Sequence, residues 1–154
     1  MSDPFLRQAI ELAVENVRAG GGPFAAVIVR DGRVIATGAN QVTRTNDPTA
    51  HAEVVAIREA CRALGAFQLT GCDLYTSCEP CPMCLGAIYW ARPARVFFAA
   101  TKQDAARAGF DDALIYREIP LAPDARSIPM HCVATEDAAR PFAEWLANTG
   151  RVRY

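Results

Sequence analysis

The sequence has no surplus of charge of either sign. Sixteen Lys and Arg stand against seventeen Asp and Glu, a net charge of −1. A general nucleic-acid binder usually presents a strongly basic face, so that class is not expected. No apolar run approaches the roughly 20 residues needed to cross a bilayer, which leaves no expected membrane partner. The opening Met1-Ser2-Asp3-Pro4 carries no positively charged n-region, so no secretory signal is expected and the cytoplasm is the expected location. There is no low-complexity segment, internal repeat or linker, and the chain reads as a single domain over 1–154. Apolar residues make up 51% of it, enough for a core without disulfide support. The six cysteines therefore read as reduced thiols or metal ligands, not as a disulfide framework.

Periodicity predicts a first amphipathic helix through Phe5, Ala9, Ile10, Ala13, Val14 and Val17, capped by Ser2 or Asp3 and stopped by Gly20-Gly21-Gly22-Pro23. Phe24–Val29 and Val34–Thr37 are apolar runs joined across Asp31-Gly32, a strong hairpin signal. Residues 39–50 are polar and turn-rich and read as a loop. A helix is expected from about His51 to Leu64, stopped by Gly65, then a strand over Asp73–Ser77, a helix over Cys81–Ala91 and a buried strand over Arg95–Ala100. Strand–helix–strand order from Asp73 favours parallel pairing through a right-handed crossover. A short helix starting near Ala105 and a terminal helix over Pro141–Asn148 complete the reading. The result is an α/β sandwich with a hairpin at one side of the sheet and helices on both faces.

The chemistry-bearing residues concentrate at two helix starts. His51-Ala52-Glu53 opens one, and Pro80-Cys81-Pro82-Met83-Cys84 opens the other. One imidazole and two thiolates supply three zinc ligands, His51, Cys81 and Cys84, and leave a fourth position open to water or hydroxide, as in catalytic sites. Cys81 and Cys84 are three apart and share a helix face. A helix N-terminus lowers a thiol pKa, and a bound zinc deprotonates a thiol outright. Cys78-x-x-Cys81 offers the same spacing, but Pro80 drives Glu79 into extended geometry and so leaves Cys78 at the end of the strand. A buried or neighbouring thiol is the expected role for Cys78. Competing readings are a reduced core cysteine pair, or a structural zinc completed by His131 or Cys132.

Zinc lowers the pKa of bound water toward roughly 7. Glu53 then reads as the proton carrier, taking a proton from that water, passing one to a ring nitrogen and helping another onto a leaving amine. Read alone, it would be a carboxylate in the first turn of a helix.

The stretches Asn46–Arg58 and Thr76–Arg92 resemble the cytidine deaminase superfamily, whose signature is H-x-E…P-C-x-x-C. Within it the chain is similar to the bacterial guanine deaminases. Ala105-Ala106 with Ala108-Gly109-Phe110-Asp111-Asp112, Pro141-Phe142 before Trp145, and the terminal Tyr154 carry that likeness along nearly the whole chain. The resemblance implies a three-layer α/β/α fold around a mixed five-stranded sheet. It also implies a homodimer in which the segment of about 135–154 crosses to the partner. Asn40 is then expected to hydrogen-bond the purine, with Phe24 and Trp90 packing around the ring. Asp112 is expected to contact the purine and relay protons, and Tyr154 to seal the partner's site. The bland alternatives are a turn residue for Asn40, core aromatics for Phe24 and Trp90, a solvated turn for Asp111 and Asp112, and a frayed terminus for Tyr154. Glu79 could be a second proton relay or a structural residue.

The implied activity is zinc-dependent hydrolysis of guanine to xanthine and ammonia, with related amino-heterocycles as side substrates. A tRNA adenosine or cytosine-type deaminase is the rival within the superfamily, but it needs a basic groove that the charge pattern does not supply. A zinc-stabilised binding module without catalysis is the rival from another class, and Glu53 speaks against it.

Overall fold

The computed structural model describes residues 3–154, and they form two compact units. The first ends at Asp112 and the second runs Ala113–Tyr154. Ser2, one of the two expected caps, lies outside the described residues. No helix among those described is long and apolar enough to cross a membrane.

In the first unit, α1 spans Pro4–Arg18, and Asp3 caps it by accepting from the amides of Phe5 (2.8 Å) and Leu6 (3.2 Å). The hairpin strands β1 (Ala25–Arg30) and β2 (Arg33–Ala39) join through Asp31 and Gly32, both at positive φ (51° and 72°). Two successive left-handed residues match the twist of the flanking strands. The helices α3 (Ala52–Leu64) and α4 (Pro82–Ala91) follow the two motif starts, with β3 (Cys72–Cys78) between them and β4 (Arg95–Ala100) after. Gly65 ends α3 at φ 61°, where a side chain would be strained.

The sheet order is β2-β1-β3-β4. β1 pairs antiparallel with β2 and β3, and β3 pairs parallel with β4. Alternation along β1 divides the core in two. Val27 and Val29 face Ala9 and Tyr75 under α1, while Ala26 and Ile28 face Ala52, Ala56, Ala60, Leu74 and Ile88 beneath α3 and α4. This gives the α/β/α layering. Ala52, Ala56 and Ala60 repeat every four residues, so α3 lies close on the sheet. A methyl group at Gly38 of β2 would stand 2.4 Å from Ala52 O and 2.5 Å from Ala56 N.

Several expectations are corrected. Four strands are present among the described residues, not five. The late apolar stretch Ile128-Pro129-Met130-His131-Cys132-Val133 takes no strand conformation, and Pro129 has no amide to give a ladder. The strand β4 is not buried. It has one neighbour at the sheet edge, and Phe98 is 46% exposed. The loop over 39–50 contains a one-turn helix, α2 (Val42–Thr45), closed by Asn46 at φ 52°. The helix expected near Ala105 starts earlier, as α5 (Lys102–Arg107), because Thr101 and Asp104 form a capping box.

The second unit holds α6 (Ala113–Glu118), a short 3₁₀ turn at Pro123–Ala125 and α7 (Arg140–Ala147). Its organising group is Arg126, which donates to the carbonyls of Glu118, Ile119 and Leu121. None of its helices buries a residue, and Ile128, Val133, Phe142 and Leu146 are all largely exposed.

Candidate active site

The ligand candidates sit where two chain segments turn from extended geometry into helices. His51 is the N-cap of α3 (φ −67°, ψ 155°), and Cys81 is the N-cap of α4 (φ −67°, ψ 168°) with Pro82 at the first helical position. Cys84 follows one turn on and is fully buried. The Nδ1 of His51 lies 3.5 Å from Sγ of Cys81 and 3.5 Å from Sγ of Cys84. Ligand atoms about 2.1 and 2.3 Å from a tetrahedral zinc stand roughly 3.6 Å apart, so the three residues fit that ion. They are the one such group of three among the described residues.

Glu53, 6% exposed, completes the cluster. Its Oε2 accepts from Cys84 Sγ at 3.4 Å, and its Oε1 accepts from the buried Thr76 hydroxyl at 3.4 Å. Burial raises its carboxyl above the ordinary range, against the opposing pull of its own backbone amide and the Cys84 thiol. Cys81 is drawn down to about 4, chiefly because Cys84 donates a hydrogen bond to it, and Cys84 is raised by giving that bond. The hydrogen bond with Cys81 raises His51 in turn. Cys78 stands apart as expected. Its thiol donates to Thr101 O at 3.6 Å, and burial pushes it up to about 11.

The residues expected to hold a substrate divide into two sets. Phe24 and Asn40 are joined, since Asn40 N donates to Phe24 O at 3.0 Å. Phe24 meets Phe110 edge-to-face at 5.0 Å, and Asn40 is buried with its Oδ1 accepting from Val42 N. Asp112 follows Phe110. Partial burial raises its carboxyl, and the Cys81 charge nearby adds to that. Glu79 extends its Oε2 to the Lys102 amide at 3.0 Å. Trp90 lies two turns beyond Cys84 on α4 and is 64% exposed, and Tyr154 is exposed at the end of the second unit. One organising residue went unread in the sequence. Asn16, buried in α1, donates to Gly22 O (2.8 Å) and Asn40 O (2.9 Å) and ties both substrate-side segments together. A polar residue in register with Ala9 and Ala13 on the buried stripe of α1 was the available signal.

The sequence model described as "Cytidine and deoxycytidylate deaminase zinc-binding region" matches residues 2–100. The chain belongs to this deaminase family. Among its relatives in the family, guanine deaminase of Bacillus subtilis is 61% identical over 153 residues, 99% of this chain and 98% of that one. The X-ray structure of that enzyme superposes with a TM-score of 0.97, at 58% identity over 100% of this chain and 99% of the other. A guanine deaminase structure from Nitrosomonas europaea has a TM-score of 0.68 and 35% identity, covering 73% and 66%. The tRNA-specific adenosine deaminase of Agrobacterium fabrum is 48% identical over 95 residues, 59% of this chain and 62% of its own.

Proposed function

We propose that this deaminase hydrolyses guanine to xanthine and ammonia. The observation that carries the reading is the extent of the likeness. The Bacillus subtilis guanine deaminase matches 99% of the chain, whereas the tRNA deaminase of Agrobacterium fabrum matches 59%. The two differ in how much of the chain they account for.

His51, Cys81 and Cys84 would hold one zinc ion. When bound, zinc supplies Lewis acidity that makes a water nucleophile accessible at neutral pH. The protein's part is positioning and proton transfer. The Glu53 carboxylate takes a proton from the attacking water, gives it to the ring nitrogen beside the amino-bearing carbon, and carries the water's second proton to the departing amine. The carbon–oxygen bond forms, the carbon–nitrogen bond breaks, and guanine plus water becomes xanthine plus ammonia. Burial keeps the Glu53 carboxyl closer to neutrality than a free glutamate, which suits an acid that must also act as a base. Asn40 hydrogen-bonds the purine, Phe24 and Trp90 pack about the ring, and Asp112 contacts it and relays protons.

The working form in this reading is a cytoplasmic homodimer, each chain a single deaminase domain whose segment of about 135–154 crosses over. Exposed Phe142 and Leu146 in the second unit support that exchange, since such side chains usually find a partner surface. The partner's Tyr154 then closes the site. A lid of that kind admits a free base and excludes a polymer.

The test is ammonia release by zinc-loaded protein from guanine, adenine, cytosine and an anticodon stem-loop. Release from guanine alone is expected. No release from guanine overturns the reading, and release from the stem-loop replaces it with tRNA editing.

A further inference from the structure

We propose that Glu79 is a positioning residue for the substrate-side segment 101–112, acting through the Lys102 amide, and not a proton carrier. The inference rests on the guanine reading for its kinetic arm only.

The backbone donors at the start of α5 each need an acceptor. A helix leaves its first amides without intrahelical partners. The Thr101 hydroxyl accepts from Asp104 N (3.3 Å), and the Asp104 carboxylate accepts from Thr101 N (2.8 Å). That capping box leaves the Lys102 amide unserved, and Glu79 Oε2 accepts from it at 3.0 Å. Glu79 is held in place to do so. Pro80 keeps its backbone extended, and its own amide donates to Ala100 O at 2.8 Å. One residue earlier, Cys78 Sγ donates to Thr101 O at 3.6 Å. Residues 78–79 thus grip three consecutive residues, 100–102, at the point where β4 passes into α5.

What hangs from that grip faces the substrate. After α5 the chain folds back at Gly109 (φ 94°), and Phe110 N donates to Ala105 O at 2.9 Å. This sets Phe110 on edge against Phe24. Asp112 comes next, and its carboxyl feels the charges of both Cys81 and Lys102. A shift at Lys102 is therefore transmitted to the aromatic wall that Phe110 forms with Phe24. The proton-transfer position is already filled by Glu53, which touches Cys84, whereas the Glu79 carboxylate is committed to α5.

The experiment compares Glu79→Ala and Glu79→Gln as zinc-loaded proteins, by guanine kinetics and by amide hydrogen exchange at Lys102. Losing one charge-assisted hydrogen bond is expected to raise KM for guanine by about tenfold in Glu79→Ala, with a similar acceleration of Lys102 exchange and unchanged zinc content. Glutamine keeps an acceptor oxygen, so Glu79→Gln is expected to recover most of both effects. A proton carrier gives the opposite pattern, with Glu79→Gln as impaired in kcat as Glu79→Ala. That result, or unchanged Lys102 exchange in Glu79→Ala, overturns the proposal. The exchange arm reads the same whether or not guanine is turned over, so failure here is distinct from failure of the guanine reading.

Discussion

The Sγ of Cys84 lies 3.4 Å from Oε2 of Glu53, so the proposed proton carrier and a candidate metal ligand are direct neighbours. Changes at one side chain reach the other without an intermediary.

Glu53→Gln tests the proton carrier. The amide fills the same space and keeps one acceptor oxygen where the carboxylate has two, but it cannot carry a proton. The expected outcome is one zinc per chain and a fall in turnover of about 10²–10⁴-fold, measured as ammonia release beside metal analysis. Turnover near the parent's level would mean that the acid–base assignment is wrong.

The same substitution has an opposite effect on stability in zinc-stripped protein. Burial raises the folded-state pKa of Glu53 above the ordinary glutamate value of 4.5. A group raised in this way favours the folded state below its unfolded pKa, and that contribution is lost as pH rises through the folded pKa. At neutral pH, above the unfolded pKa, the parent bears the cost of burying this ionisable group, and Glu53→Gln does not. Glu53→Gln is expected to melt about 2–4 °C higher for each kcal/mol relieved, with the gap closing as pH falls toward 4.5. A melting-temperature difference independent of pH counts against a buried, raised carboxyl.

The three proposed ligands are expected to differ sharply from Cys78 in what they do for the metal. Cys81→Ala or Cys84→Ala is expected to lose zinc and turnover together, while Cys78→Ala keeps one zinc per chain. Because Cys84 and His51 are both raised by their contacts with Cys81, zinc binding is expected to release protons. Calorimetry in buffers of different ionisation enthalpy is expected to show about one proton released at pH 8, rising toward two as His51 becomes protonated. Affinity therefore weakens as pH falls. A proton count that does not change with pH would remove the His51 part of this account.

Removing Val152–Tyr154 tests the lid. Those residues are exposed or half-exposed, so their loss is expected to leave the melting temperature unchanged. If the partner's Tyr154 closes the site, kcat/KM for guanine falls by about 10- to 100-fold. Unchanged kinetics exclude the lid.

Asn16→Ala removes the donor shared by Gly22 O and Asn40 O. Gly22 O keeps the Phe24 amide, so the cost falls on the buried Asn40 carbonyl and is expected to be about 1–3 kcal/mol, read by urea denaturation. KM rises as well, because Asn40 loses its anchor. Full stability in this variant would show that water replaces the amide.

What was legible in the sequence was local. Asp31-Gly32, Gly65 and Pro80 act on their own backbone, and the turn, the helix stop and the exclusion of Cys78 all followed from them. The metal group was legible because both halves sit at helix starts with fixed spacing. The exposure of β4 was not, since Val96, Phe97 and Phe98 read as buried until the strand order places them at an edge. Asn16 was missed because its partner Asn40 is 24 residues away. The start of α5 was missed although Thr101 and Asp104 carry a local signal, a capping box three residues apart.

Gly38 has no side chain, and the space beside it is taken by the main chain of Ala52 and Ala56. Strand and helix meet there with nothing between them that can repack. Any displacement of β2 passes without slack into the turn that presents His51 and Glu53. Asn40 continues from the same strand, two residues beyond Gly38. Tuning for a new base and tuning for a new metal affinity are therefore one mechanical problem in this protein, and a variant selected for either trait should be screened for both.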